Sequence, residues 1–438
     1  MRYPGGNFVS NYRWEDGVGP RDSRPTRLDL AWRSIETNQF GLGEFMAWAR
    51  RLGVEPMMAV NLGTRGVRDA VDLLEYCNYP EGTALSDLRR SHGAKDPHDI
   101  TVWCLGNEVD GPWQIGHKTA TEYARLAAET AKAMRRVDPR VELVACGSSN
   151  TGMPTFASWE ATVLEECYDA VDYVSLHNYY DPTGQTTADF LASGVDLDRA
   201  IEAVVATADH VGARLKSRRR LKVSVDEWNV WYQSRFHGEA SLDWMERREL
   251  IEDTYDVADA AVVGSLLITL LRHADRVGIA CQAQLVNVIA PIRTHAGGPA
   301  WRQTIFHPFA QAAALAGGEV LRVEPEVPTY DAREHGEVPL LDATATYDEE
   351  SGALTLLAVN RSTEESLDLE VNVRAFPGYS LSTASTLAGP DLRATNTAEN
   401  PDAVRPQENT RTRLADGRLD ASLPPVSWNV IRLEPAAS

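Results

Sequence analysis

Two glutamates stand at the ends of short apolar segments. Glu108 closes the segment WCLGNE at residues 103–108, and Glu227 lies within VSVDEWN at residues 223–229. A pair of carboxyl groups can cleave a glycosidic bond, because one can protonate the leaving oxygen while the other attacks the anomeric carbon or guides a water. A single glutamate at such a place is most often a surface charge. Two of them, each beside Asn or Trp, favour a paired acid–base site.

The segments that carry these glutamates belong to a series of apolar runs. The runs are rich in Val, Ile and Leu and do not alternate with polar residues, which is typical of strands buried on both faces. They occupy residues 56–62, 100–105, 141–146, 171–176, 221–225 and 279–288.

Helical patterns separate several of these runs. Residues 119–137 place apolar side chains at a period near 3.6, residues 41–52 do the same, and residues 246–272 read as one long helix. Alternating strands and helices predict a parallel (β/α)8-type TIM barrel, in which active sites lie at the carboxyl ends of the strands. Glu108 and Glu227 could therefore face one substrate.

The pattern changes after residue 318. Long helical patterns disappear, and apolar or alternating segments such as 353–359, 367–373 and 426–433 are separated by turn residues. This predicts an antiparallel β-sandwich. We expect a catalytic barrel over residues 1–318 and a sandwich domain over residues 319–438.

The charge and the cysteines limit the possible partners. The formal net charge is −20, so a polyanion such as nucleic acid would be repelled. The five cysteines are odd in number and form no CxxC pair, which favours reduced thiols in a cytoplasm. The most apolar stretch, 257–271, is too short to cross a bilayer, and the first residues show no signal-peptide pattern. We expect a cytoplasmic protein with no membrane partner.

Motifs for cofactor chemistry are absent from the sequence. There is no HExxH, no tight Cys/His cluster, no GxGxxG after a strand and no Walker A loop. We therefore expect neither a metal nor a nucleotide cofactor. The segment GSSN at 147–150 does not fit the serine hydrolase elbow.

A set of motifs resembles glycoside hydrolase family 51, the intracellular α-L-arabinofuranosidases. They cover nearly the whole chain: RYPGGNF at 2–8, WEDGVGP at 14–20, GNE at 106–108, SLH at 175–177, DEWN at 226–229 and QLVNV at 284–288. The resemblance implies that Glu108 is the acid/base and Glu227 the nucleophile of a retaining, exo-acting enzyme. Its substrates would be arabino-oligosaccharides with terminal α-L-arabinofuranosyl groups. The resemblance also implies a homo-oligomer, a hexamer.

Several further residues match substrate-binding positions of the family. Asn107 would bond the sugar 2-hydroxyl, and Tyr179 could orient the nucleophile. The full set implied by the resemblance is Arg2, Asn7, Asn107, His177, Tyr179, Trp231 and Gln284. Alternatives remain for three of them: Arg2 could pair with a barrel carboxylate, His177 could be a core histidine, and Trp231 could serve packing. Trp113 falls in a rim loop and is assigned no role.

Two other functions remain open from the sequence. One is a related retaining glycosidase, such as an endoglucanase or β-xylosidase. The other is a sugar-binding protein without turnover. A retaining mechanism requires the two carboxyl groups roughly 5–5.5 Å apart, whereas an inverting site leaves a gap for a water.

The strand count bears on the completeness of the barrel. Six apolar runs and one strand within residues 1–8 make seven, one fewer than a TIM barrel contains. In the resemblance, Arg2 and Asn7 correspond to residues after the second strand. We therefore expect an upstream segment carrying the first βα unit and a further sugar-binding glutamate, with weak or absent activity in the 438-residue form. A lineage that lost this unit and closes the gap differently is the alternative.

Overall fold

A parallel sheet of seven strands forms the first part of the protein. The computed structural model describes residues 1–246 and 249–436. Each strand pairs with the next along the chain, so the sheet follows sequence order. The strands are β1 (Arg2–Tyr3), β2 (Met57–Ala59), β3 (Val102–Cys104), β4 (Glu142–Ala145), β5 (Tyr173–Tyr180), β6 (Lys222–Val230) and β7 (Val277–Gln282). The prediction of seven parallel strands is confirmed.

The sheet curls into a nearly closed barrel. Met57 of β2, Cys104 of β3 and Val144 of β4 are buried in one cluster with Ile279 of β7, although β2 and β7 are far apart in the sheet order. Within the described ranges, β1 pairs only with β2 and β7 only with β6. Side chains therefore fill the barrel interior, as in a packed barrel rather than a pore.

Helices lie around the barrel strands. The helix Ala120–Val137 (α4) buries the face that carries Tyr123 and Met134. It begins after Thr119, because Thr119 and Glu122 form a capping box. The helices are α1 (Leu42–Leu52), α2 (Val67–Asn78), α3 (Ala84–Ser91), α4 (Ala120–Val137), α5 (Ser158–Cys167), α6 (Thr187–Leu191), α7 (Ser193–Leu215), α8 (Val257–Arg272) and α9 (Phe306–Leu315).

Two predicted boundaries are wrong. The helix predicted over 246–272 begins only at Val257; residues 247 and 248 lie outside the described part, and 249–256 are not helical. Asp256 starts the helix, because its carboxylate accepts a hydrogen bond from the backbone N–H of Asp259 at 3.1 Å. The strand predicted over 279–288 ends at Gln282, and turns follow it.

The C-terminal part consists of antiparallel strands. A six-stranded sheet has the order β8-β11-β12-β18-β14-β15, and a three-stranded sheet has the order β13-β17-β16. The strands are β8 (Glu319–Leu321), β9 (Thr329–Ala332), β10 (Gly336–Pro339), β11 (Leu341–Asp348), β12 (Ala353–Asn360), β13 (Leu367–Asn372), β14 (Tyr379–Leu387), β15 (Gln407–Glu408), β16 (Arg413–Ala415), β17 (Arg418–Leu423) and β18 (Ser427–Pro435).

The two sheets enclose an apolar core. Leu356 and Ile431 of the larger sheet are buried in one cluster with Leu419 and Leu423 of the smaller sheet. The predicted antiparallel sandwich after the barrel is therefore confirmed. The division of the chain at residue 318 stays a prediction.

Helix α8 lies between the barrel and the sandwich. Fourteen of its residues are buried, including Val262, Leu266 and Ile268. A group of polar side chains, which we call the junction cluster, joins this helix to the sandwich: Ser265, Arg272, Asp342 and Arg361. The Asp342 carboxylate accepts from all three others, each at 2.5 Å. Burial raises the pKa of Asp342, but the two guanidinium groups outweigh burial and lower it.

Short hairpins stand outside the main sheets. One pairs Arg27–Asp29 with Ser34–Glu36, and another pairs Ile292–Thr294 with Ala300–Arg302. Among the helices of the described ranges, none is long and apolar enough to cross a membrane.

Candidate active site

Glu227 lies in a bulged part of β6. Along the pairing of β5 with β6, Ser175 faces Ser224 but His177 faces Glu227, so β6 contains one extra residue. Successive side chains of a regular strand point to opposite faces, and a bulge re-aims them. As a result, both Asp226 and Glu227 reach the same imidazole ring, that of His177.

The Glu227 carboxylate is held at both oxygens. Arg2 Nη1 donates to Oε1 at 2.6 Å, and the Tyr179 hydroxyl donates to Oε2 at 2.8 Å. Burial raises the pKa of Glu227, but the positive charges of His177 and Arg2 outweigh burial and lower it. Glu227 is therefore ionised, as a nucleophile must be.

Glu108 lies in the loop after β3. The loop requires unusual backbone conformations: Gly106 has φ 103° and Glu108 itself has φ 43°. A Cβ at Gly106 would meet Val109 at 3.2 Å, so glycine suits the position sterically as well. A positive φ is a strained backbone conformation for a residue other than glycine, and such strain is common at functional sites.

The two oxygens of Glu108 have different partners. Oε1 lies 3.0 Å from His177 Nδ1, and Oε2 accepts a hydrogen bond from Trp113 Nε1 at 3.2 Å. Burial raises the pKa of Glu108, and the negative charge of Glu227 adds to this effect, while the bond with His177 opposes it. The net direction is upward, which is the direction that a general acid needs.

The two carboxyl groups lie close together. One oxygen of Glu108, one oxygen of Glu227 and a ring nitrogen of His177 all lie within 4.8 Å of one another. A retaining site holds its carboxyl groups about 5–5.5 Å apart, and an inverting site about 6.5–9.5 Å. This short separation fits a retaining site. The pKa of Glu108 is raised and that of Glu227 is lowered, which suits an acid and a nucleophile respectively.

His177 connects three carboxylates. Its Nδ1 lies 3.0 Å from Glu108 Oε1 and 3.6 Å from Glu227 Oε2, and its Nε2 lies 3.0 Å from Asp226 Oδ1. Burial lowers the pKa of His177, but the charge of Glu227 and the bonds with Asp226 and Glu108 raise it to about 10. The three carboxylates around the ring therefore favour its charged, imidazolium form.

Arg2 brings β1 into the same cluster. Besides Glu227, it donates through Nη2 to the side-chain oxygen of Asn107, and its Nε lies 3.7 Å from Asp226 Oδ2. The pairing of Arg2 with a barrel carboxylate, left open by the sequence, is present. We call Arg2, Glu108, His177, Asp226 and Glu227 the catalytic cluster.

Asparagines line the same end of the barrel. Asn7 Oδ1 accepts from Gln114 Nε2 at 2.6 Å and from Asn107 Nδ2 at 3.4 Å. Asn7 also lines the cavity in front of the cluster. Asn107 itself is buried between Arg2 and Asn7, so its amide is fixed in orientation.

A cavity of about 430 Å³ opens in front of Glu108. Aromatic side chains form much of its wall, and a sugar ring can pack against such faces. Trp231 lies edge-on to Tyr179, with ring centroids 5.2 Å apart, and its buried indole N–H has no hydrogen-bond partner among residues 1–246 and 249–436. The aromatic lining residues are Trp32, Trp113, Tyr179, Trp231 and Phe236.

Gln284 is the last of the predicted site residues along the chain. It is exposed in the loop after β7, and its backbone N–H donates to the carbonyl of Ile289. Within the described residues its side chain makes no hydrogen bond with the catalytic cluster. The role of Gln284 stays a prediction.

Sequence reasoning missed two members of the site. Asp226 was quoted only as part of a motif, and Trp113 was assigned no role. The signal for Asp226 was its position directly before Glu227, but only the bulge shows that both side chains reach His177. The Trp113 ring lies over Gly111, where a Cβ would approach the indole to 2.6 Å.

Glu108, His177 and Glu227 have donor atoms close enough to surround a metal ion. Arg2 and the His177 imidazolium already neutralise these carboxylates. A metal would have to displace the proton of His177, because only a neutral imidazole binds metal.

Comparisons with known proteins agree with this geometry. The profile described as "Alpha-L-arabinofuranosidase 1 domain" matches residues 1–196, and "Alpha-L-arabinofuranosidase C-terminal domain" matches residues 226–427. An intracellular exo-α-(1→5)-L-arabinofuranosidase of Bacillus subtilis is 52% identical over 99% of this chain and 86% of its own length. The chain belongs to glycoside hydrolase family 51.

Other members of the family extend the comparison. A Streptomyces lividans protein named intracellular exo-α-(1→5)-L-arabinofuranosidase is 60% identical over 99% of this chain, which spans 66% of that relative's length. A Bifidobacterium longum relative, 52% identical, is named an exo-α-(1→6)-L-arabinofuranosidase; the match covers 99% of this chain and 85% of the relative. The solved structure of a family 51 α-L-arabinofuranosidase from Bifidobacterium longum superposes with a TM-score of 0.95 at 45% identity, covering 99% of this chain and 86% of that one.

Proposed function

We propose that this protein is a retaining, exo-acting α-L-arabinofuranosidase that removes terminal α-L-arabinofuranosyl groups from arabino-oligosaccharides. The observation that carries the proposal is the paired glutamates, with oxygens within 4.8 Å and pKa values shifted in opposite directions. The names of the family relatives support the sugar.

The reaction has two displacements. A Glu227 oxygen forms a bond to the anomeric carbon while the glycosidic C–O bond breaks, and the Glu108 proton passes to the leaving oxygen. A covalent glycosyl ester of Glu227 results. Glu108, now ionised, takes a proton from a water whose oxygen attacks the anomeric carbon, and the ester C–O bond breaks. Two inversions give net retention.

The remaining site residues receive roles in the same proposal. Arg2 and Tyr179 hold Glu227 through its two oxygens, and Asn107, which Arg2 fixes, bonds the sugar 2-hydroxyl. Asn7 and Trp231 contact the bound sugar from the cavity wall. Gln284 is proposed as a sugar contact on the resemblance alone. For His177, engagement of both ring nitrogens favours positioning of carboxylates over direct sugar contact.

The test is hydrolysis of an aryl α-L-arabinofuranoside, with the configuration of the first-formed product followed by NMR. We expect the α-anomer to form first. First formation of the β-anomer would contradict the double displacement. Faster hydrolysis of β-xylosides or cello-oligosaccharides would favour a related glycosidase, and sugar binding without hydrolysis would favour a binding protein.

The preferred linkage requires a separate comparison, because the names of the relatives include both (1→5) and (1→6) linkages. Rates on arabinobioses of each linkage, measured side by side, would rank them. The aromatic cavity wall is where the second sugar would pack.

We further propose a cytoplasmic location and a homo-oligomer, a hexamer by the family resemblance. The relatives named intracellular support the location. Light scattering on the purified protein would measure the oligomeric state, and a monomer at working concentration would contradict this part of the proposal.

A further inference from the structure

Asp226 is a buried carboxylate that the double displacement does not use. Its side chain is 1% exposed, and it contacts His177 Nε2 at 3.0 Å, Cys104 Sγ at 3.6 Å and Arg2 Nε at 3.7 Å. A buried ionised carboxylate is costly unless it is paired. Its two cationic neighbours both also contact the nucleophile, Glu227.

The hydrogen-bond pattern of His177 restricts where protons can be. Asp226 is ionised, because Arg2 and His177 lower its pKa against the effect of burial. It is thus an acceptor, and His177 Nε2 carries a hydrogen. At Nδ1, either the ring donates to Glu108 Oε1 or a protonated Oε1 donates to a neutral ring.

The second arrangement would turn the acid proton of Glu108 away from the substrate. Oε1 faces the buried ring of His177, which is 2% exposed, whereas Oε2 lies beside Trp113, a cavity-lining residue that is 42% exposed. A proton on Oε2 can reach a leaving oxygen in the cavity. A proton on Oε1 cannot, because His177 occupies that side.

The charges around the ring select the first arrangement. Asp226 and Glu227 contribute two negative charges that Arg2 and a charged His177 balance, so the cluster is neutral when Glu108 carries its proton. Three other titratable groups belong to the surroundings of the cluster. Asp110 is bound by Ser149 and feels the charge of His177, while Tyr179 and Cys104 are held protonated by burial.

We propose that Asp226 is a positioning residue: it holds His177 as an imidazolium, which keeps the acid proton of Glu108 on Oε2, the oxygen that faces the leaving group. The acid–base role of Glu108 is taken from the proposed function. Once Glu108 has given up its proton, the same imidazolium stabilises the carboxylate that must next activate water. Asp226 thereby serves both steps without touching the sugar.

The test compares Asp226→Asn with Asp342→Asn in the full-length protein. Both aspartates are buried beside arginines, but Asp342 lies in the junction cluster. In protein with ¹⁵N-labelled histidine, and with His177→Gln for assignment, we expect both ring nitrogens of His177 to stay protonated from about pH 5 to about pH 8. In Asp226→Asn, the His177 pKa should fall by about 1–3 units. In Asp342→Asn it should not move.

Kinetics with a series of aryl arabinofuranosides provides the second readout. Asp226→Asn should lower kcat/KM about 10²-fold for poor leaving groups, which need the proton, and less than about tenfold for 2,4-dinitrophenolate, which does not. Asp342→Asn should keep the wild-type dependence on leaving group.

Three outcomes would overturn the proposal. The first is a neutral His177 ring in the wild type at pH 7, which requires no variant to fold. The second is an Asp226→Asn protein in which the His177 ring loses its proton at the same pH as in the wild type. The third is an equal loss for all leaving groups, which would mean that Asp226 acts through Arg2 and the nucleophile. A wild type inactive on arabinofuranosides would contradict the proposed function, yet leave the NMR test intact.

Discussion

The catalytic cluster and the junction cluster both combine arginines with buried carboxylates, but they differ in which groups can change protonation. The junction cluster sets two arginines around one aspartate, and both signs of charge are permanent near neutral pH. The catalytic cluster contains three carboxylates, one imidazole and one arginine, and it borders a cavity of about 430 Å³.

Because of this difference, we expect the junction cluster to contribute to stability and the catalytic cluster to catalysis. Burial and the neighbouring charge of Glu227 raise the pKa of Glu108, because like charges in a small volume disfavour one another. The junction cluster has a single carboxylate facing two arginines, so no like charge beside it raises its pKa, and it has no such poised group. Substitutions in the two clusters should therefore change different measurable quantities.

The largest effect is expected at the nucleophile. Glu227→Ala should lower turnover on the order of 10⁴- to 10⁶-fold, because no covalent intermediate can form. Azide should restore activity with inversion, giving the β-glycosyl azide. Glu142→Ala, at the opposite end of the barrel where β4 begins, should keep wild-type turnover. A retained azide product from Glu227→Ala would exchange the two assignments.

The acid/base should show a weaker and more selective effect. Glu108→Ala should lose about 10²- to 10⁴-fold on substrates with poor leaving groups. Substrates with good leaving groups should still form the glycosyl ester, and azide should then give the α-glycosyl azide by two displacements. Rate and product configuration are both measurable by NMR. Uniform loss across leaving groups would contradict the acid role.

In the junction cluster, the change should appear in unfolding alone. Asp342→Asn removes the carboxylate that accepts from both Arg272 and Arg361 and should cost about 3–5 kcal/mol in the free energy of unfolding, with kcat/KM unchanged. Because the pKa of Asp342 is lowered in the folded state, its contribution is present above the unfolded value of about 3.9 and is lost as pH falls through the folded value. Denaturant titrations at neutral and acid pH would measure this.

A matched control lies in the same sandwich. Asp420 pairs with Arg418 at 3.0 Å, but both side chains are about half exposed. Asp420→Asn should cost less than about 1 kcal/mol. Equal costs for Asp342→Asn and Asp420→Asn would remove the distinction between a buried junction and a surface pair.

The smallest effect is expected at Trp113. Its N–H bond to Glu108 Oε2 lowers the pKa of Glu108, so Trp113→Phe should raise that pKa and move the basic limb of kcat/KM to higher pH. The rate at the optimum should change by less than about tenfold. Trp244→Phe is the control, because Trp244 is similarly exposed but stands over Arg33. A shift to lower pH, or the same shift in both variants, would contradict the role of Trp113.

Much of this comparison was accessible from the sequence. The buried strands were predicted because runs of Val, Ile and Leu leave few other options, and Glu108 and Glu227 were predicted because each ends such a run. The sandwich was predicted from its alternating segments. These features depend on local patterns, which a sequence shows directly.

The parts that escaped prediction depend on contacts between distant residues. The bulge that turns Asp226 toward His177 is a feature of the pairing between β5 and β6, and neither strand shows it alone. The predicted start of α8 is wrong because Asp256 is the N-cap of the helix, and the residues directly before it are not helical. The role of Trp113 escaped prediction because the sequence around a tryptophan in a loop does not show that its N–H will bond a carboxylate.

Helix α8 couples the unfolding of the barrel to that of the sandwich. Its apolar side chains, such as Val262 and Leu266, belong to the same cluster as Leu357 of β12 and Trp428 of β18. Gly264 leaves space for the Trp428 ring, since a Cβ there would lie 2.4 Å from it. The sandwich is therefore not an independent module that could be deleted or exchanged. Barrel and sandwich should melt together, and changes in one can be tolerated only when the other accommodates them.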